Sequence, residues 1–273
     1  MTEQTPLSVV LSQEELFVIL AYLKVKSLMG LDPRVLDDLS EKEIRLVMGV
    51  AERALIARGF LGRGGDQKMQ LHPAILALVG ACAAPEQSLI MTQARLQAFQ
   101  ENLFFHTARQ MIVVHTIPLT AVHQFVMLED KDGIAKAVLS ALKLDDKPAP
   151  PCAEGYLPDE MVTMARDAAQ EEGQDAAEDV LSQSELPTNT AREFAASLAM
   201  PIANTTLVAL RHRPEQDLAE GFTILEGANG LWLLKPENNL NGHADKSIAL
   251  RPVSTQEVVA ELKALLEFMK ENE

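Results

Sequence analysis

A unit of short apolar runs closed by an amphipathic helix occurs twice in this chain, and it limits the possible folds more than any single motif. The first copy runs from Pro85 to about Leu144, the second from Pro201 to about Met269. In the second, Thr205 to Leu210, Phe222 to Glu226, Leu231 to Lys235 and Ile248 to Arg251 carry strand-favouring residues. Ala228, Asn229 and Gly230 mark a hairpin between two of these runs. The matching runs of the first copy are Ser88 to Met91, Asn102 to His106, Met111 to Ile117 and Val122 to Leu128. The opening prolines are 116 residues apart, while Ile134, Val138 and Leu142 align with Val258, Leu262 and Leu266 at an offset of 124. A longer turn-rich loop from Lys235 to Gly242 accounts for the eight-residue difference. Duplication is the reading that follows; chance likeness between two generic stretches of strands and helices is the competing one.

Helix signals precede and close each copy. Ser12 with Glu15, Ser40 with Glu43 and Ser254 with Glu257 have the capping-box spacing, in which the serine hydroxyl accepts from the third backbone N–H and the glutamate reaches back. Leu16, Phe17, Leu20, Leu23 and Ser27 form the first apolar stripe, which Met29 to Pro33 stops; Ile44, Val47, Met48, Ala51 and Leu55 form the second, stopped at Gly59. A winged-helix-like element follows, with Phe60 and Leu61, a turn over 62–66, Lys68 to Leu71, and His72-Pro73 opening a helix to about Ala83. Pro148, Pro150 and Pro151 make 145–154 the best linker. Beyond it Leu157, Met161, Met164, Ala165 and Ala168, then Ala176, Ala177, Val180 and Leu181, recur at helical spacing, and a third helix opens at Pro187 and turns Phe194, Leu198 and Ala195 inward. The expectation is an α+β fold of two pseudo-repeated halves, 7–144 and 155–269, each with helices, an antiparallel sheet module and a closing helix.

Charge narrows the function. The chain of 273 residues carries a net −15, which argues against a nucleic-acid partner. From Glu41 to His72 six basic residues face four acidic ones, too weak a patch for a DNA-binding wing. Between Glu154 and Glu185, ten acidic residues stand against Arg166 alone, either as a solvated helical face or as a surface for a basic partner. Met1 to Pro6 is polar and does not resemble a signal peptide, and no run reaches the ~20 apolar residues of a membrane helix. Cys82 and Cys152 do not make a disulfide framework. A cytoplasmic protein without membrane association is expected.

No catalytic motif stands out. His106, His115 and His123 are nine and eight residues apart, which matches no zinc spacing, and they read as polar strand positions; His72, His212 and His243 lie at turns or strand ends. The 62–65 turn lacks the lysine and hydroxyl residue of a P-loop, and Gly-x-Ser-x-Gly is absent. No catalytic residue, metal ligand or cofactor is assigned. The flexible thioethers of Met161 and Met164 suit an adaptable groove or the core. Trp232, alternating with Leu231 and Leu233, suits the core or an interface anchor. With Phe222 these four are the candidate partner-contacting residues.

The order of features resembles the EspG chaperones of type VII secretion. Glu43 to Leu61, followed by Leu71, His72, Pro73 and the helix to Pro85, is similar to that family's helix end, its L-H-P entry and its next helix. Val122 to Leu142, the Gly230 hairpin, the Trp232 strand, and Pro252 before Ser254 and the last helix continue the likeness, which spans about residues 12 to 268. The resemblance implies a quasi-two-fold α+β fold with a central sheet and two helical bundles. It also implies a cytosolic chaperone for PE–PPE heterodimers; no partner-contacting residue carries over. The leading expectation is a non-enzymatic, chaperone- or adaptor-like protein that holds a helical protein partner. A small-molecule-binding or enzymatic domain without a recognisable motif stays open, as does a winged-helix DNA-binding regulator.

Overall fold

The chain is α+β, with eight helices and a ten-stranded antiparallel sheet among the residues described by a computed structural model, 6–65, 67–96, 98, 100–237 and 247–270. Most of the polar start, Asp66 of the glycine turn, most of the long loop before Gly242, and His243 lie outside the described residues. The first stretch contains β1 (Ser8–Ser12), α1 (Gln13–Leu23), a 3-10 turn (Pro33–Leu36), α2 (Glu41–Ala57), β2 (Leu61–Arg63), β3 (Met69–Leu71) and α3 (Pro73–Ala83). Next come β4 (Gln87–Arg95), β5 (Glu101–Ala108), β6 (Met111–Leu119), β7 (Val122–Leu128) and α4 (Lys131–Leu142). A second series follows: β8 (Gly155–Pro158), α5 (Asp159–Glu171), α6 (Gln174–Leu181), α7 (Thr188–Ala199), β9 (Pro201–Arg211), β10 (Leu218–Gly227), β11 (Gly230–Pro236), β12 (Ser247–Val253) and α8 (Thr255–Lys270). The sheet runs β1-β7-β6-β5-β4-β9-β10-β11-β12-β8, and β2 and β3 form a separate hairpin.

Contacts divide the chain into two units that interleave in sequence. The first contains 1–89, 102–134 and 211–218. Here both serine capping boxes form, Ser12 with Glu15 and Ser40 with Glu43, so each helix starts where its orphan N–H groups find an acceptor. The α1 stripe ends earlier than its spacing predicts: Lys24 adopts φ 56°, which closes the helix and leaves Ser27 outside it. Glu15, 5% exposed, also takes both Arg58 contacts, at 2.9 and 2.7 Å to Nη1, and the same guanidinium lies over the Phe60 ring. Its core joins Leu16, Ile19 and Leu20 of α1, Leu55 of α2 and Ile75, Leu78 and Val79 of α3 to Val113 and Phe125 of the sheet. Each such buried side chain stabilises by about 1.5–3 kcal/mol relative to exposure. β1, which the alternation does not announce, pairs with β7 from Ser8 opposite Val126 to Ser12 opposite Val122.

The second unit contains 90–101, 135–210 and 219–273. Strand alternation puts Leu225, Trp232, Leu234 and Leu250 on one face, where α5, α6 and α7 pack Ala165, Leu181, Phe194 and Leu198 against them. On α5 the buried positions are Val162, Ala165 and Ala169, one residue along from the stripe that Met161 and Met164 suggest. The shift follows from Leu157, which is not helical; it lies on β8 and pairs opposite Ile248. The proline-rich stretch is tied down here: the Lys147 ammonium is 2.9 Å from Glu226 Oε1, and its backbone N–H donates to Thr255 Oγ1 at 3.0 Å.

Candidate partner-binding cleft

The four residues picked out by sequence go to different places. Trp232 is fully buried, its ring 5.3 Å from that of Phe194, and its indole N–H donates to Ser197 Oγ at 3.0 Å. Phe222 is buried as well, while Met161 is half-buried against the core below α5. Met164 alone of the four stands exposed, at 57%. Its thioether is accessible without displacing core packing.

On the same unit a cleft of about 230 Å³ opens among Leu198, Leu225, Leu96, Arg95, Arg166 and Asn204. Leu96, which lines it, is 68% exposed, and Met200 and Ile202, on either side of the lining residue Pro201, are 73% and 37% exposed. Chain pairing brings these distant residues together, since the Leu96 N–H donates to the Ile202 carbonyl at 3.1 Å. Unpaired large apolar side chains clustered beside a cleft are the usual mark of a recognition surface.

Its polar groups are unevenly satisfied. Arg95 is engaged, its Nε donating to Gln93 Oε1 at 3.0 Å and its Nη1 lying 3.8 Å from Glu226. Arg166, half-buried, makes no hydrogen bond or ion pair among the described residues, though it is the one basic residue of the acidic stretch. The Oδ1 of Asn204 is buried and has no partner among them either. A guanidinium and a carboxamide left open in an apolar notch favour an occupant that supplies both an acceptor and a donor. Among the signals in the sequence, only the isolation of Arg166 pointed here; Leu96 and Met200 gave no local sign.

A second polar cluster lies inside the first unit. His106, His115 and His123 are buried to within 1% on β5, β6 and β7, not at ordinary polar strand positions. Stacking explains it: His115 sits 4.5 Å from the Phe125 ring and 5.2 Å from that of Phe104. Burial holds His106 and His123 down to about pKa 4 and His115 to about 3, with His212 also pressing on His106 and both His123 and His106 on His115. Ser88 Oγ lies 3.0 Å from His106 Nδ1 and 3.0 Å from His212 Nε2, and His212 Nδ1 lies 3.1 Å from Asp217 Oδ2. These are the distances of a nucleophile, base and acid. Ser88, however, is 0% exposed in a strand, and His106 shares its hydroxyl, so no substrate carbonyl reaches it. The line reads as a satisfied internal bridge: His106 N–H to Ser88, Ser88 O–H to His212, His212 N–H to Asp217. Among the described residues no group of three His, Cys, Asp or Glu is placed to hold a metal, and no helix is long and apolar enough to cross a membrane.

Over nearly its whole length the chain is similar in fold to a solved α+β protein. The Mycobacterium tuberculosis type VII secretion system chaperone EspG5, solved in complex with a PE25–PPE41 dimer, superposes at a TM-score of 0.65 over 97% of this chain and 98% of that one, with 14% identity. HtdX from the same organism aligns over 90% of this chain and 100% of its own at 13% identity, but with a TM-score of only 0.15. No protein-family model matches the sequence, and neither does any curated protein sequence. The chain thus has the EspG fold.

Proposed function

We propose that this chain is a non-enzymatic chaperone of the type VII secretion kind, which holds a helical protein partner at the Leu96–Met200–Arg166 cleft. The observation that carries the reading is the pairing of an EspG fold over nearly the whole chain with an exposed apolar rim around an unpaired arginine. EspG5 is a secretion chaperone seen holding a PE–PPE dimer, and a partner of that class is the first to test here. Leu96 would supply apolar contact, with Met200 beside Pro201 of the lining and its thioether adapting to the partner's shape, while Met164 would offer a separate contact on another face of α5. Arg166 would take a carboxylate or the free carbonyls of a helix end, both of which match a guanidinium fork. Phe222 and Trp232 act in this reading by holding the sheet under the cleft.

Purification of the tagged chain from its native host, followed by mass spectrometry, tests the proposal. A stoichiometric helical partner whose affinity falls at least tenfold with Met200→Asp or Arg166→Glu is expected, about 1.4 kcal/mol or more. A partner that binds wild type and both variants equally, or recovery of no protein partner, overturns it.

A further inference from the structure

Helix α2 presents a face that the described residues do not cover. Although 17 residues long, it buries only Ala51 and Leu55, and Leu46 and Val50 stand 64% and 52% exposed. With Glu43, Arg53 and Ala57 they lie at intervals of three, four, three and four, a single stripe along one side of the helix. Beside the stripe, a groove of about 550 Å³ runs between α2 and the start of α1, lined by Val47, Val50, Ala51 and Ala54. Gly49 borders the stripe on the side away from the groove, and an added Cβ there would meet nothing nearer than an Arg53 nitrogen at 3.6 Å. Mid-helix glycine costs about 1 kcal/mol relative to alanine, so it weakens this helix while letting another backbone come close.

The stripe is complementary to its own reverse. If two copies of α2 lie antiparallel with the two-fold axis opposite residue 48, Leu46 meets Val50 of the other copy and Arg53 meets Glu43 of the other copy, each contact occurring twice. The charges are available for it. Arg53 makes no hydrogen bond or ion pair among the described residues, and Glu43 uses only Oε2 on Ser40, leaving Oε1 open. The sequence order acid, apolar, apolar, base thus matches an antiparallel copy and mismatches a parallel one, in which Arg53 would face Arg53.

We propose that α2 is a self-association surface: two copies of this chain pair through antiparallel α2 helices in the register Leu46–Val50 and Glu43–Arg53. Exposed ion pairs contribute little each, and one helix pair falls below the size of a stable interface, so the dimer is weak and reversible. The role is separate from partner holding at the cleft and does not depend on it.

Sedimentation velocity on the full chain over a wide concentration range, at about 150 mM salt to screen the net charge, reads the dimer directly. A dissociation constant in the micromolar range is expected, raised at least tenfold by Leu46→Asp and by Arg53→Glu. Combining Arg53→Glu with Glu43→Arg should bring it back to within about threefold of wild type, because the swapped charges face each other again. Mixing Leu46→Cys and Val50→Cys chains, each also carrying Cys152→Ser, should form a disulfide faster than either chain alone. A chain that stays monomeric at several hundred micromolar, a dimer unmoved by Leu46→Asp, a double swap no tighter than the single, or faster self-crosslinking than mixed crosslinking would each overturn the proposal.

Discussion

His115 Nε2 lies 2.9 Å from His123 Nδ1, a hydrogen bond between two imidazoles that are both closed off from solvent. Only one of the pair can donate, and His115 Nδ1 and His123 Nε2 have no partner among the described residues. With both rings neutral, whichever ring accepts keeps its own N–H unpaired, a penalty of about 1–3 kcal/mol.

Acid should therefore loosen the first unit. The folded pKa values of about 4, 3 and 4 for His106, His115 and His123 lie below the ordinary 6.5, so the unfolded chain takes up protons first as pH falls. Their contribution is complete above about pH 6.5 and declines towards pH 4, and for His115 towards pH 3, by about 1.4 kcal/mol per histidine per pH unit at most. Urea unfolding at pH 7.0, 6.0 and 5.0 checks this. The double variant His115→Phe and His123→Phe, which keeps the stack between Phe104 and Phe125, should flatten the pH dependence between 6.0 and 5.0 by half or more. An unchanged slope would show that these histidines do not set it.

Ser88→Ala removes the hydroxyl that His106 and His212 share. Both ring nitrogens then lose their partner, and a loss of about 1–3 kcal/mol is expected. Chemical denaturation measures it. Because Ser88 is read as a bridge and not as a nucleophile, fluorophosphonate labelling of the wild-type chain should leave this serine unmodified; its labelling would restore the enzymatic reading.

Much of the fold is legible from short-range rules. The capping boxes at Ser12, Ser40 and Ser254 form with the glutamate three residues on, and the stripes Phe194, Ala195 and Leu198, and Val258, Leu262 and Leu265, are buried as their spacing implies. What escapes is set by contacts between residues far apart in the chain. β1 and β8 are five and four residues long and gain their identity from the strands they pair with, β7 and β12. The histidines read as polar until Phe104 and Phe125 close over them. Likewise Leu96 and Met200, 104 residues apart, become one rim only when the Leu96 N–H meets the Ile202 carbonyl.

Trp232 offers a local probe of the second unit, being the sole tryptophan. Ser197→Ala leaves its indole N–H without an acceptor and should cost about 1–3 kcal/mol. Gly227→Ala should act on the same spot, since a Cβ there would come within 2.4 Å of Ser197 Oγ and 2.9 Å of the Ser197 backbone. Thermal melts followed by tryptophan emission read both, with the unfolding midpoint lowered and the native emission shifted. Equal midpoints for Ser197→Ala and wild type would mean that the indole finds another acceptor.

The seat of a partner decides what the chain does. Hydrogen exchange of the chain alone and with the protein captured from its host measures this most directly. Protection is expected in 94–96, along α5 and across 198–204, the segments that carry Leu96, Arg166 and Met200. Protection confined to other surfaces, with these segments exchanging as fast as in the free chain, would contradict the cleft as the partner's seat.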